Sequence, residues 1–133
     1  MAKMHAVYYR DRQGSEPVNE FINRLPARVQ ASLDMQIDRL NDLRENDPPL
    51  PFPHTSQVEG ELRELRCHYG SRLFRVLYRR SDNLFVLLHI FEKKAAKVPE
   101  SDKSIARSRW RDFRIRMNEQ PRRRPRAAGH DAP

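Results

Sequence analysis

"ELRELRCHYGSRLFRVLYRRSDNLFVLLHIFEK", Glu61 to Lys93, is the stretch whose reading decides the fold. It divides into three β-rich runs, ELRELRCHY, RLFRVLYRR and NLFVLLHIFEK, separated by YGSR and RSDN. Those separators have the size and composition of hairpin turns, so the stretch predicts an antiparallel three-strand meander. Side chains alternate across a strand. Phe74, Val76 and Tyr78 therefore share one wholly apolar face, and Arg75 and Arg79 point the other way with Leu73 and Leu77. The apolar face predicts a covering layer of helices. The arginine face predicts a surface open to solvent or to a ligand. In the third run His89 has the parity of Leu87 and Phe91, and Lys93 continues it.

The flanking segments supply the other layer. "MHAVYYR" predicts a strand over about residues 4–10. "SEPVNEFINRL" predicts a helix with Ser15 as N-cap, Pro17 in the first turn, and Val18, Phe21, Ile22 and Leu25 on one face. Pro26 ends that helix or opens the next, "PARVQASLDMQIDRLNDLRE", whose Val29, Leu33, Ile37, Leu40 and Leu43 line one face. Two helices joined so tightly predict a helical hairpin. "NDPPLPFPHTSQ" then places four prolines between Pro48 and Pro53 and predicts a loop. Beyond the meander, "ESDKSIARSRWRDFRIRMNE" predicts a helix with Ala106, Trp110, Phe113 and Met117 on one face. The class is α+β: an N-terminal strand and helical hairpin packed on a small, mainly antiparallel sheet, with a C-terminal helix. Residues 1–119 form the expected domain. "QPRRRPRAAGHDAP", residues 120–133, has no apolar periodicity and predicts a disordered basic tail that adds electrostatic affinity for a polyanion.

The charge narrows the function. A chain of 133 residues with 38% hydrophobic content fits one domain with a modest core. Its net charge of +8 predicts attraction to a polyanion: RNA, DNA, the ribosome or an acidic partner. Cys67 is the one cysteine, so an internal disulfide is excluded and a reducing cytoplasm is the expected location. "MAKMHAVYYRDR" lacks the apolar run of a signal peptide, and no stretch approaches the roughly 18 apolar residues of a spanning helix, so no membrane partner is expected. No Gly-rich phosphate loop and no His/Cys metal spacing occur. Glu61, Glu64 and Glu92 are the carboxylates of the meander strands, too scattered for a two-metal nuclease. No metal and no cofactor are expected, and any phosphate chemistry should proceed without them. A single arginine on an outer strand face is more often merely solvated. Here the meander brings Arg66, Arg75 and the His89–Lys97 region together, and crowded cations repel unless an anion completes the site.

The ordered set "ELREL", "FRVLY", "VLLHIFEKKAAKVP" and "IARSR", preceded by "FINRLPARVQASL", resembles the HigB-like, phage-derived toxins of the RelE/ParE superfamily over about residues 5–115. The resemblance implies a small sheet packed on a helical hairpin. It also implies a type II toxin–antitoxin toxin that cuts mRNA on the ribosome without metal, with a helix-turn-helix antitoxin as partner. It places Arg66, Arg75, His89, Lys93, Lys94 and Lys97 in the site. The chemistry of metal-free RNA cleavage suggests their roles. Arg66 and Arg75 would clamp the phosphate and His89 would move a proton. Arg79, Lys93, Lys94 and Lys97 would hold RNA. On this reading Arg75→Ala removes toxicity and leaves the fold intact. Two alternatives stay open: a non-enzymatic, ParE-like poison of DNA gyrase, and an inactive relic that still binds RNA or antitoxin.

Overall fold

The computed structural model describes residues 2–119 and 124–129. In chain order the elements are β1 (His5–Tyr8), α1 (Pro17–Asn23), α2 (Ala27–Asp38) continued by a 3-10 turn (Arg39–Asp42), β2 (Thr55–Glu59), β3 (Leu62–Tyr69), β4 (Arg72–Ser81), β5 (Leu84–Glu92) and α3 (Glu100–Met117). Pro17 opens α1 behind Glu16 as N-cap, so the helix starts one residue later than a Ser15 cap would place it. Pro26 caps α2, where its fixed φ suits the position and its missing N–H costs nothing.

Among the described residues the strands form one sheet in the order β1-β5-β4-β3-β2. β1 runs parallel to β5, and the other pairings are antiparallel. The expected meander is present, with the α+β class, and it is one strand longer. β2 occupies Thr55–Glu59, of which Thr55, Ser56 and Gln57 were expected to be loop. The prolines stop at Pro53, and from Thr55 onward the backbone donors are all available to pair with β3. Gly60 and Gly70, at φ +52 and +57, make the two tight turns that follow.

Both faces of the sheet are covered. On one, Val18, Ile22, Val29, Leu33 and Ile37 of α1 and α2 pack against Leu65, Phe74, Val76, Tyr78 and Leu87. On the other, Ala106 and Phe113 of α3 pack against Leu77, Val86 and Leu88. The arginine face is therefore not open along its length, because α3 crosses it. A second difference lies in β5. The register to β4 shifts between Leu77 and Tyr78, so that Leu77 faces His89 and Tyr78 faces Leu87. Leu88 is the extra residue of a β-bulge. His89 consequently shares a face with Phe91 and Leu77 but not with Leu87, and it points toward α3. Among the described residues no helix is long and apolar enough to cross a membrane.

The segment expected to be a disordered tail has a described portion. Ala127 and Ala128 are buried in the α3-side core. The Arg10 amide donates to the Ala127 carbonyl at 2.6 Å, and Nη1 of buried Arg116 donates to the Pro125 carbonyl at 3.0 Å. Nη2 of Arg116 also reaches the Arg10 carbonyl, tying α3, the end of β1 and this segment together. Two alanines are too few to show as periodicity, which is why the sequence reads as tail. Residues 120–123 and 130–133 of that expected tail lie outside the described residues. Removing residues 120–133 is expected to destabilise the domain by about 1–3 kcal/mol, because it takes the Pro125 carbonyl from buried Arg116 and the Ala127 carbonyl from the Arg10 amide, and uncovers apolar surface. Urea unfolding of the full and shortened chains checks this, and equal midpoints would mean the segment carries no stability.

Candidate functional site

β2, β3 and β4, the loop after β5 and the start of α3 enclose a groove of about 420 Å³. Among its described lining residues are four cations, Arg66, Arg75, Lys97 and Lys103, and one carboxylate, Glu64. The cross-strand register explains the meeting. Arg66 sits opposite Arg75, and Glu64 opposite Leu77, so Glu64 and Arg75 are diagonal neighbours on one face.

Arg75 and Glu64 form the floor. Arg75 is only 4% exposed and Glu64 only 2%. Arg75 Nε donates to Glu64 Oε2 at 2.5 Å and Nη2 to Oε1 at 3.1 Å. Nη1 donates to the Ala95 carbonyl at 3.1 Å, and Nη2 also to the Ala96 carbonyl at 3.2 Å. Arg75 thus fastens the Lys93–Lys97 loop to the sheet. Glu64 also accepts from Ser56 Oγ at 2.7 Å and from Arg66 Nη1 at 3.1 Å. Burial pushes the Glu64 carboxyl up, but the hydrogen bonds from Arg75, Ser56 and Arg66 outweigh it and hold the group below the usual carboxylate range. Glu64 is therefore an anion whose charge is already neutralised within the protein. Arg75→Ala would open this buried pair, so the expectation that it spares the fold does not survive the burial of both partners.

The other expected site residues divide by location. Arg66 and Lys97 line the groove. Lys93 is exposed, its backbone amide bound to the Leu73 carbonyl at 2.8 Å. Lys94 is exposed beside a separate hollow lined by Phe21, Glu92 and Asp102. Arg79 is elsewhere: its guanidinium lies 4.6 Å from the Trp110 ring centre and donates to Glu61 at 2.8 Å. It lines a second cavity, of about 320 Å³, with Arg107 and Arg111.

His89 is not among the groove's lining residues. The bulge sends it under α3, where Nε2 lies 2.7 Å from Asp102 Oδ1 and Nδ1 lies 3.4 Å from Arg109 Nη1. A carboxylate accepts and a guanidinium donates, so the neutral tautomer with its proton on Nε2 satisfies both neighbours. Burial lowers the His89 pKa, and Arg109 adds to that against the opposing pull of Asp102. The imidazole therefore takes up a proton less readily folded than unfolded. Stability present at pH 7.5 should decline as pH falls through 6.5, and the decline should end once folded His89 itself protonates. His89→Gln should flatten that part of the profile. Urea unfolding between pH 7.5 and 5.5 reads it, and parallel profiles for both proteins would remove His89 as the cause.

Sequence reasoning passed over Glu64 as a site residue, and Ser56 and Lys103 altogether. The tight turn at Gly70–Ser71 carried the signal for Glu64, since it sets Tyr69 opposite Arg72 and hence Arg66 opposite Arg75. Lys103 and Ser56 carried none, because their positions depend on how α3 and β2 dock.

No curated protein matches the chain. Residues 20–111, which hold the groove and β2 to β5, match the family model of the phage-derived protein Gp49-like. That match spans well over half of the chain, and with it the chain belongs to the phage-derived Gp49-like family, within the RelE-type toxin-like superfamily.

Proposed function

We propose that this protein is a HigB-like toxin of a type II toxin–antitoxin system that cuts mRNA on the ribosome. The observation that carries the reading is the groove itself: four cations around one carboxylate that is already neutralised. Such a site attracts a phosphate and holds it against Arg66 and Lys97, with Lys103, whose Nζ also lies 3.7 Å from Glu59 Oε1, beside them.

In the cleavage step the 2′-oxygen of the RNA bonds to the adjacent phosphorus and the bond to the 5′ oxygen breaks. The 2′ proton leaves, and the 5′ oxygen gains one. The phosphorane formed on the way carries extra negative charge on its equatorial oxygens. Fixed cations aimed at that charge supply the larger share of such catalysis. Arg66 offers a planar fork for two of those oxygens, and Lys97 and Lys103 offer point charges at the rim. Arg75 acts through the loop it fastens. His89, held by Asp102 and Arg109 under α3, is a structural residue in this scheme. A helix-turn-helix antitoxin would silence the protein by covering the groove.

The test is induction of the protein without a partner, followed by mapping of mRNA 5′ ends. New ends within translated reading frames are expected. Intact transcripts during growth arrest, with supercoiling defects in their place, would move the target to gyrase.

A further inference from the structure

We propose that Phe52 is a stacking platform for an unpaired nucleobase, so that the site takes single-stranded RNA by base as well as by phosphate. The proposal rests on the RNA reading above and names a binding residue outside the charged groove. Phe52 is 70% exposed, the most exposed of the large apolar side chains among the described residues. It is not on a loose segment. Pro48, Pro49, Pro51 and Pro53 restrict the backbone around it. The His54 amide closes the turn on the Pro51 carbonyl at 2.9 Å, and the Arg66 amide donates to the His54 carbonyl at 2.8 Å. Arg39 Nη1, 3.1 Å from His54 Nδ1, braces the same turn.

The turn is thus tied to the residue that lines the phosphate groove. The Arg66 guanidinium lies 5.2 Å from the centre of the Phe52 ring. One side chain therefore touches both the groove and the ring. A cation on an aromatic ring holds that ring in place. The exposed remainder of the ring is available to stack a base one step from a phosphate bound at Arg66. Double-stranded nucleic acid keeps its bases stacked on one another, so this geometry favours a single strand. A ring already fixed by its prolines and by Arg66 loses little freedom on binding.

Binding of a short unstructured RNA and of an abasic strand of the same length, titrated at several salt concentrations, tests the platform. Phe52→Ala should weaken the RNA about tenfold and leave the abasic strand unchanged. Its slope against log salt should match that of the parent protein, because no phosphate contact is lost. Phe52→Trp should restore the affinity. Equal RNA affinity for Phe52→Ala and the parent would overturn the platform and leave the RNA reading standing, with a protein partner as the remaining use for the ring. Failure of the parent protein to bind either strand in a salt-dependent way would overturn the RNA reading and the platform together.

Discussion

Arg75→Met is expected to lower the free energy of unfolding by about 3 kcal/mol. The methionine fills most of the volume, so the loss is electrostatic. It strands the Glu64 carboxylate, 2% exposed, with Arg66 and Ser56 as its remaining partners. It also frees the carbonyls of Ala95 and Ala96. In a domain of this size about 1 kcal/mol moves Tm by roughly 4 °C, so a fall of about 12 °C is expected. The double variant Glu64→Leu with Arg75→Met should recover much of that, because no buried charge is then left alone. Thermal unfolding of the two variants and the parent decides it. An unchanged Tm for Arg75→Met would mean that Glu64 takes up a proton or reaches water at little cost. Arg75 is in either case a poor probe of catalysis, since its loss unfastens the lysine loop.

On the proposed function, Arg66→Ala should reduce mRNA cleavage about 30-fold or more while the domain stays folded. Losing one donor aimed at transition-state charge costs at least about 2 kcal/mol, which is about 30-fold in rate. The structural cost is smaller than for Arg75, because Glu64 keeps both of its bonds from Arg75. Arg66→Lys keeps the charge but loses the planar fork and the stacking on Phe52, so an intermediate rate is expected. Cleavage in a translating extract, with unfolding measured alongside, checks both. Full activity in a folded Arg66→Ala protein would remove Arg66 from the phosphate site.

The meander was legible because its turns are short and carry Gly70 and Asp82, both at positive φ, between strongly β-forming runs. The buried face of α3 was legible from Ala106 and Phe113 at helical spacing. β2 was not, because the prolines before it mask five ordinary strand residues. The orientation of His89 was not, because the bulge at Leu88 reverses parity and leaves no mark in composition. Of the candidate site, Arg66, Arg75 and Lys97 do come together, since strand register alone brings the two arginines opposite one another. Arg79 and His89 are drawn away by Trp110 and Asp102, both on α3. The docking of α3 is a tertiary event that the local pattern of β4 and β5 does not encode.

The parallel pairing of β1 with β5 has a consequence for synthesis. His5 lies beside Leu84, and Tyr8 beside Leu87, so β1 leaves the ribosome long before its neighbour exists. The helices that follow it wait as well, since their apolar faces are covered by β3, β4 and β5. A nascent chain that has not reached Leu84 therefore holds neither a complete sheet nor a seat for α1. The loop between them closes late, and long loops add only slowly to the entropy of closure, so the delay is set by translation more than by chain search. An emerging chain has no finished groove until the residues beyond its last strand, Ala96 to Lys103, have arrived as well.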